Sequence, residues 1–358
     1  MQDFLVIGGG IAGLSAAARL SALGQVTVLE MEDALGYHAS GRSAALFEQN
    51  YGNSAVVALS RASAAYHRES NGGYLTPRGL MLVAGTEEAD LFARDCDALG
   101  MAPLDLDEAR AMVPVLNRNT VAQTAFSSEA EDIDTDRMLQ DFARSVRAGG
   151  GRVVTKAPVT TITRIAGGWQ LQAGGEAYEG RQLVNAAGAW ADRIAALANV
   201  VPVGLQPRRR SMARLPSPGG HDVRGWPMLL GAGETWYAKP DAGKLLVSPA
   251  DADPVEPHDA FADDMVLAEG LARYEAMVSE PVTRVESNWA GLRSFVADGA
   301  LVLGPDPACP EFIWCAAQGG YGFQTAPAAS QLLADLVAGR NPELDAAAVA
   351  ALRPDRLR

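Results

Sequence analysis

The stretch VIGGGIAGLS, residues 6–15, constrains the fold of this chain more than any other part of its sequence. Its glycines Gly8, Gly10 and Gly13 have G-x-G-x-x-G spacing. In such a turn the first glycine permits a tight bend, the second lets the backbone approach a pyrophosphate, and the third lets a helix pack closely on a strand. The first amide groups of that helix attract phosphate, because they are free donors at the positive end of the helix dipole.

The residues on either side of the glycines predict strand, helix and strand in the order that this motif requires. Apolar residues 3–7 predict a buried strand, and the alanine- and leucine-rich residues 12–23 predict a helix that ends at Gly24. Residues 26–30 predict a second strand, which ends in Glu30, a carboxylate placed to accept hydrogen bonds from ribose hydroxyls. The sequence therefore predicts a dinucleotide-binding βαβ unit. The acid disfavours the 2′-phosphate of NADP, whereas NAD and FAD both remain compatible with the motif.

The composition argues against several classes of partner and site. The formal net charge of −13 disfavours nucleic acid and anionic membranes, since both bind a basic face. The three cysteines and four histidines show no metal-ligand spacing, so we expect no metal site and a reducing, cytoplasmic location. The first apolar run has no basic residue before it and is interrupted by Arg19, so we expect neither a signal peptide nor stable membrane insertion.

Two later stretches resemble further parts of a dinucleotide site. Residues 35–47 (LGYHASGRSAALF) contain small residues and an arginine, and helix-forming residues begin at Ser43, so we expect a second helix N-terminus close to the first. Residues 159–165 and 169–173 alternate as strands, and a third strand leads to a glycine turn at Gly188. These strands predict a β-meander whose last strand points towards the nucleotide.

A third stretch favours FAD over NAD. Residues 313–317 predict a buried strand, which the glycine-rich residues 319–322 and a helix to about Gly339 follow. Glycine lets the backbone approach a flat or charged group closely. The N-terminus of this helix would stabilise the anionic form of a reduced flavin ring.

Taken together, these stretches resemble the D-amino-acid oxidase superfamily of FAD-dependent enzymes, which includes glycine and sarcosine oxidases, over nearly the whole chain. Eight segments in the same order are most similar to bacterial FAD-dependent D-arginine dehydrogenases: GYHASGRSAA, IDTDRMLQ, NAAGAW, GLQPRRRS, YAKPDAG, ADPVE, WAGLRSFVADG and AAQGGYG. The resemblance implies an α/β fold in which an FAD-binding Rossmann-like domain is interleaved with an α+β substrate domain on a mainly antiparallel sheet. It implies an FAD domain of residues 1–52, 135–203 and 296–352, and a substrate domain of residues 53–134 and 204–295.

The second insertion is predicted to be mainly β on its own sequence. The segments RRRSMARL, TWYAKP, KLLVSPA and NWAGLRSFV are short, rich in aromatic or β-branched residues, and bounded by proline and glycine. Residues 261–277 predict a helix that interrupts these strands.

The resemblance implies oxidative deamination of D-amino acids. A hydride would pass from the α-carbon to flavin N5, and the imino acid would hydrolyse to a keto acid and ammonia, with the electron acceptor unknown. Three alternatives stay open: an oxygen-using oxidase of glycine, sarcosine or another secondary amine, a non-catalytic flavin-binding protein, and a dehydrogenase that uses only NAD. Some members of the superfamily link flavin to a cysteine near SFVADGALVLG, which contains none here, so we expect non-covalent FAD.

The glycine motif and the resemblance together place a set of residues at the cofactor. They are Gly8, Gly10, Ile11, Ala12, Gly13, Glu30, Met31, Ala39, Ser40, Gly41, Arg42, Ser43, Ala44, Ala45, Val159, Ala187, Gly188, Gly319, Gly320, Tyr321, Gly322, Phe323 and Gln324, the last of which the resemblance also places near the substrate.

A zwitterionic substrate needs a cation for its carboxylate, and the planar fork of arginine matches both carboxylate oxygens. Arg293 and Arg210 lie on apolar strands, where an unpaired charge is costly, and the resemblance makes them the carboxylate partners. A structural ion pair is the alternative for Arg293. The resemblance also makes Tyr237 a carboxylate ligand, Tyr51 part of a loop that closes the site, and the Gly320 carbonyl the acceptor for the amine. No general base stands out.

The residues around the substrate side chain leave its identity open. Gly79 stands where the D-arginine enzymes carry a glutamate that binds guanidinium, Leu46 where they carry a histidine, and Glu48 where they carry a threonine. Met228 and Leu230 match an apolar wall. If Glu48 faces the pocket, basic D-amino acids remain good substrates; if it faces solvent, the pocket prefers apolar or medium-sized ones. We expect solvation, because an isolated loop carboxylate is usually exposed.

Overall fold

The computed structural model describes residues 1–358, in nineteen β-strands and nine α-helices. The strands are β1 (Gln2–Ile7), β2 (Val26–Leu29), β3 (Leu46–Phe47), β4 (Leu75–Pro77), β5 (Leu80–Ala84), β6 (Ala102–Leu104), β7 (Gln123–Ser127), β8 (Glu131–Ile133), β9 (Arg152–Val154), β10 (Val159–Ile165), β11 (Gly168–Ala173), β12 (Glu176–Asn185), β13 (Gln206–Leu215), β14 (Met228–Gly231), β15 (Tyr237–Asp241), β16 (Lys244–Ser248), β17 (Ser287–Phe295), β18 (Val302–Asp306) and β19 (Cys309–Ala316). The helices are α1 (Ile11–Leu20), α2 (Ser54–Glu69), α3 (Ala89–Leu99), α4 (Leu106–Met112), α5 (Thr135–Ala148), α6 (Ala191–Leu197), α7 (Asp264–Ala276), α8 (Gly322–Ala338) and α9 (Ala346–Ala350). None of the helices combines the length and the apolar character that crossing a lipid bilayer requires.

The first sheet has a parallel centre in the order β9-β2-β1-β12-β19. The strand β18 runs antiparallel to β19, and β10, β11 and β12 form the predicted antiparallel meander. In register, Ile7 of β1 faces Leu29 of β2 and Asn185 of β12, so these three strands end at the same edge of the sheet. Open α/β sheets bind their ligands at that edge, and the glycine turn lies there.

Both faces of this sheet are buried, as parallel strands require. Along β1, Phe4 and Val6 pack with α1, α2, α5 and α8, whereas Leu5 and Ile7 pack with the meander and α6. A Cβ atom on Gly13 would lie 1.9 Å from the Gly8 carbonyl oxygen. The helix α1 therefore packs against the turn after β1 at a distance that only glycine allows.

The second sheet has the order β17-β13-β16-β15-β14-β5-β7-β6 and is antiparallel except between β14 and β5. Its strands come from residues 80–127 and 206–295, between segments that build the first sheet. The interleaved α/β and α+β architecture is therefore confirmed. Opposite residues of an antiparallel pair share a face, and Arg208 of β13 pairs with Arg293 of β17, so Arg210 lies on the same face as Arg293.

The predicted end of the first helix at Gly24 is wrong. The helix α1 ends at Leu20, and the following residues form a turn. The Ser21 hydroxyl donates a hydrogen bond of 2.7 Å to the Ala18 carbonyl, a local bond that competes with continued helix. By contrast, α8 ends as predicted, with Gly339 in the left-handed conformation at φ 65°.

The predicted second helix at Ser43 is also wrong. Residues Ala39–Arg42 form one 3₁₀ turn, and Ser43 is extended, with φ −85° and ψ 136°. Leu46 then pairs with Asp132 of β8 in a three-stranded sheet, β3-β8-β4. The strand pairing of Leu46 with Asp132, 86 positions away, outweighs the local helix propensity here. A local sequence pattern carries no information about so distant a pairing.

The side chain of His67, on α2, lies between α8 and the core. It is fully buried, its Nε2 atom lies 3.0 Å from the Gln324 carbonyl oxygen, and its ring packs on Phe47. Burial lowers the pKa of His67 from 6.5 to about 4. The unfolded chain therefore takes up this proton first, and folding stability falls as the pH drops from about 6.5 to about 4.

We predict that His67→Gln removes this part of the pH dependence. Between neutral pH and pH 4 the wild type should lose roughly 3 kcal/mol more free energy of unfolding than the variant. Urea unfolding at a series of pH values measures both curves. Parallel curves would show that folding does not lower the pKa of His67.

Candidate active site

A cavity of about 410 Å³ lies between the glycine turn and the second sheet, and we call it the cofactor cavity. Most of the predicted cofactor residues line it: Gly8, Gly10, Ile11, Ala12, Glu30, Met31, Ala39, Ser40, Arg42, Ser43, Ala44, Ala45, Val159, Ala187, Gly188, Gly319, Gly320, Gly322, Phe323 and Gln324.

Three residues that the sequence placed at the cofactor lie outside this wall. Gly13 packs against the carbonyl of Gly8, as described above. A Cβ atom on Gly41 would lie 2.5 Å from the Gly36 carbonyl oxygen, so this glycine supports the 3₁₀ turn. The Tyr321 ring packs edge-on against Tyr51, with ring centroids 5.4 Å apart. These three residues support the residues that line the cavity and do not line it themselves.

Two helix N-termini face the cofactor cavity without a side-chain cap. The helix α1 begins after Gly10 and α8 begins after Tyr321, and neither has an acidic residue in its first turn. The Ile11 amide donates to the Ser40 hydroxyl at 3.0 Å. The other amide groups of the two first turns and the positive ends of two helix dipoles suit an anion such as a pyrophosphate. Gly8 has φ 111°, and a Cβ atom there would lie 2.3 Å from the Ala186 carbonyl oxygen. The turn therefore fits the phosphates of a dinucleotide.

Glu30 closes the far side of the glycine turn. It is 7% exposed at the end of β2, and its carboxylate accepts hydrogen bonds from the amides of Gly9 at 2.5 Å and Glu32 at 2.9 Å. This position suits a ribose ligand, and it also fixes the turn.

Aromatic residues at this end were missed by the sequence reasoning. Tyr37, His38, Trp190 and His258 also line the cofactor cavity. The His38 ring lies 4.7 Å from the Trp190 ring and hydrogen-bonds the Glu32 carboxylate at 2.8 Å. Their positions follow from contacts between distant segments, so no periodic pattern in the sequence marks them.

A second cavity of about 90 Å³, which we call the side pocket, adjoins the cofactor cavity. All ten residues that the sequence placed near the substrate line it: Leu46, Glu48, Tyr51, Arg210, Met228, Leu230, Tyr237, Arg293, Gly320 and Gln324. The two cavities share a set of residues that we call the junction: Ser43, Ala44, Ala45, Leu46, Arg210, Tyr237, Arg293, Gly320 and Gln324.

Two guanidinium groups meet at the junction without an ion-pair partner, and the carboxylates of Glu234 and Asp251 act on Arg293 and Arg210, respectively, only from beyond salt-bridge distance. Arg209 pairs with Asp251 and Asp253, whereas Arg210 and Arg293 have no carboxylate partner. Burial, and then repulsion by Arg293, lower the pKa of Arg210, and its buried Nε atom has no hydrogen-bond partner. Half-buried cations without an ion-pair partner are costly, so this pair is arranged for an anion that comes from outside the chain.

Gly320 lies directly against this pair. A Cβ atom on Gly320 would lie 2.9 Å from the Nη1 atom of Arg293, so any side chain would displace the guanidinium. The backbone of the segment before α8 therefore reaches the place where an anion on Arg293 would bind.

Two tyrosines and an unpredicted acid complete the rim. Tyr237 is 5% exposed, and its ring centroid lies 6.0 Å from the Cζ atom of Arg210. The Tyr51 hydroxyl donates a hydrogen bond of 3.0 Å to Glu234, and burial raises the pKa of Tyr51. Glu234 lines the side pocket and adopts φ 55°, an uncommon conformation for a residue other than glycine. The turn GAGE, residues 231–234, offered no signal that its acid faces the site.

The expected solvation of Glu48 is wrong. Its side chain is buried, 5% exposed, and lines the side pocket. Its carboxylate accepts a hydrogen bond of 3.0 Å from the Asn50 amide, and its own amide donates to the Gln324 side chain at 3.5 Å. These bonds turn the loop after β3 inward. Burial raises the pKa of Glu48, and no lysine or arginine pairs with it.

The buried cysteine is no candidate for flavin attachment. Cys315 on β19 is 2% exposed, lies outside the cavity walls, and has its Sγ atom 3.6 Å from the Ala12 carbonyl oxygen. Burial raises the pKa of Cys315 to about 12, so the thiol stays protonated. We therefore expect a flavin here to be held without a covalent bond.

We predict that Glu30→Ala weakens FAD binding without unfolding the chain. Loss of a ribose contact should raise the dissociation constant of FAD about tenfold, as one hydrogen bond to a charged group would. Asp33→Ala is the matched control, since Asp33 lies three residues away, is exposed and is outside the cavity wall. Equal FAD affinity in both variants would rule out Glu30 as the ribose ligand.

The comparisons with known proteins agree with this geometry. The model of the DAO family, described as FAD dependent oxidoreductase, matches residues 3–336. The chain is 24% identical to FAD-dependent oxidoreductase domain-containing protein 1 of Bos taurus, over 94% of this chain and 81% of that protein.

Solved structures share the fold. Glycine oxidase from Geobacillus kaustophilus superposes with a TM-score of 0.83 at 23% identity, over 98% of each chain. The L-amino acid deaminase from Proteus vulgaris superposes with a TM-score of 0.79 at 18% identity, over 98% of this chain and 93% of that one. From the family match over most of its length, the chain belongs to the DAO family of FAD-dependent oxidoreductases.

Proposed function

We propose that this FAD-dependent oxidoreductase deaminates a D-α-amino acid oxidatively. The observation that carries the proposal is the pair Arg210 and Arg293, two guanidinium groups without carboxylate partners at the junction. Their planar forks match an α-carboxylate, and Tyr237 stands beside them as a further donor. A non-catalytic flavin protein would have no use for an anion site at this place.

The residues of the junction orient the substrate. FAD, when bound, accepts a hydride from the substrate α-carbon, and the resulting imino acid hydrolyses to a keto acid and ammonia. Arg210, Arg293 and Tyr237 hold the carboxylate, and the Gly320 carbonyl accepts a hydrogen bond from the amine. Two anchored groups fix the direction of the α-carbon hydrogen.

No protein base is needed for this step. The junction contains no carboxylate and no histidine, and burial keeps the nearby Tyr51 hydroxyl protonated. The substrate therefore reacts with a neutral amine. Water takes the proton that its ammonium group gives up to reach this form.

Two features support a D-amino acid over glycine. The ordered motifs resemble D-arginine dehydrogenases, and the side pocket provides about 90 Å³ beyond the junction for a side chain that glycine lacks. The similarity to a glycine oxidase favours glycine or sarcosine as the second candidate.

A panel of D- and L-amino acids, glycine and sarcosine tests the proposal. Under anaerobic conditions, bleaching of the flavin reports reduction by each compound. We expect D-amino acids to bleach it fastest. Faster reduction by glycine, sarcosine or the L-enantiomers would contradict the proposal.

The burial of Glu48 changes the expected side chain of the substrate. An ionised carboxylate in a closed pocket without a cation is unfavourable, and a substrate ammonium or guanidinium would supply the missing partner. Glu234 adds a second acid to the same pocket. We therefore propose that basic D-amino acids are preferred, in place of the apolar ones that a solvated Glu48 would imply.

We predict that Glu48→Gln selectively weakens the use of basic substrates. The KM for D-arginine and D-lysine should rise by about tenfold or more, from a lost charge-assisted contact of about 1.5–3 kcal/mol, while D-leucine and D-methionine are unaffected. In the wild type this preference should also fall at acidic pH, because the carboxylate, whose pKa burial raises, becomes neutral. An equal loss for D-leucine would disprove the assignment.

We predict that Arg293→Ala and Arg210→Ala each abolish most turnover of every α-amino acid while the flavin stays bound. Each removes a charge-assisted contact of about 1.5–3 kcal/mol, and the remaining contact leaves the carboxylate half-paired. Arg209→Ala is the control, because Arg209 lies on the same strand and pairs outside the cavity with Asp251 and Asp253. Turnover in the two variants as high as in this control would refute the carboxylate assignment.

A further inference from the structure

One buried charge has no part in the proposed chemistry. The chain contains three lysines, and Lys239 is the buried one, 8% exposed. It lies on β15 two residues after Tyr237, so both side chains leave the same face of the second sheet. That face looks towards the junction, although Lys239 lines neither cavity.

The ammonium of Lys239 has two hydrogen-bond acceptors and one ion-pair partner. It donates to the carbonyl oxygen of Ala44 and, at 3.0 Å, to that of Ala45. Its third partner is the Oδ1 atom of Asp132, at 2.8 Å. The two carbonyls and the carboxylate together compensate the buried positive charge of the ammonium.

The carbonyls that Lys239 binds belong to the part of the wall that the two cavities share. Residues 43–45 have no strand or helix partner, yet Ser43, Ala44, Ala45 and Leu46 line both the cofactor cavity and the side pocket. Without Lys239 these two carbonyls would lose the partners that hold the irregular segment in one conformation.

A second layer of charges holds the lysine. The other carboxylate oxygen of Asp132 accepts from Arg78 Nε at 2.7 Å, and the Nη2 atom of Arg78 lies 2.6 Å away. Arg78 Nη1 donates to the carbonyls of Arg224 and Trp226, both at 2.8 Å. Trp226 lies two positions before Met228, which begins β14 and belongs to the substrate wall. The contacts therefore connect the cofactor side of the junction with the substrate side.

We propose that Lys239 is a positioning residue that fixes Ser43–Leu46 as the common wall of both cavities, and that Asp132 acts through it. The expected effect of Lys239 on FAD binding rests only on membership of the DAO family. The expected effect on substrate binding rests on the proposed function.

The test compares Lys239→Met, Asp132→Asn and the double variant with Lys244→Met. Lys244 is the matched control, because it is ion-paired at 2.8 Å with Glu286, the residue before β17, and lies outside both cavities. Lys239→Gln is the second variant, since it keeps an amide donor and loses only the charge. In the holoenzymes we measure the FAD dissociation constant, the visible spectrum of bound flavin, and KM and kcat for the best amino acid.

Lys239→Met and Lys239→Gln should raise both the FAD dissociation constant and KM about tenfold, the loss of one charge-assisted contact, and shift the flavin spectrum. Asp132→Asn should shift the same quantities, and the double variant should be no worse than Lys239→Met alone. Values like those of Lys244→Met, or effects that multiply in the double variant, would overturn the proposal. If no amino acid reduces the flavin, the proposed function fails, while the FAD constant and the spectrum still decide the role of Lys239.

Discussion

Two like charges half-buried side by side, Arg210 and Arg293, are the constraint on which the site depends. The pairing of β13 with β17 puts both guanidinium groups on one face of the second sheet, where neither forms a salt bridge with a carboxylate of the chain. A fold accepts such a cost when a ligand removes it, and a site of this kind binds its anion strongly. This anion site is surrounded by the neighbouring strands, Tyr51, Tyr237 and Gly320, which leave room for the anion.

The charges of the site follow a gradient across the junction. Arg210 and Arg293 form a cationic end, and Glu48 and Glu234 form an acidic end in the side pocket. A molecule with a carboxylate at one end and a cation at the other would satisfy both. On the far side, two uncapped helix N-termini offer positive dipole ends to a dinucleotide. The cofactor and substrate thus meet where the first sheet faces the second.

Local signals were sufficient for much of this architecture. The glycine spacing and the apolar strands on either side predicted the βαβ unit at the edge where β1 and β2 end, and the family resemblance predicted ten of the sixteen residues that line the side pocket. Local signals failed where distant pairings decide. The 43–47 segment is held by Asp132 and Lys239 and not by its helix propensity, and Glu48 is drawn inward by Gln324, 276 positions away. Glu234 faces the site from a turn whose sequence carries no periodic pattern.

The central claim is that the paired arginines bind an α-carboxylate, and one measurement tests it most directly. The best amino acid substrate and its α-carboxamide are compared under anaerobic conditions, and the rate of flavin bleaching is followed at equal concentrations. The account predicts that the amide reduces the flavin about 100-fold more slowly or not at all, because two charge-assisted contacts of about 1.5–3 kcal/mol each are lost. Equal rates for the two compounds would contradict it.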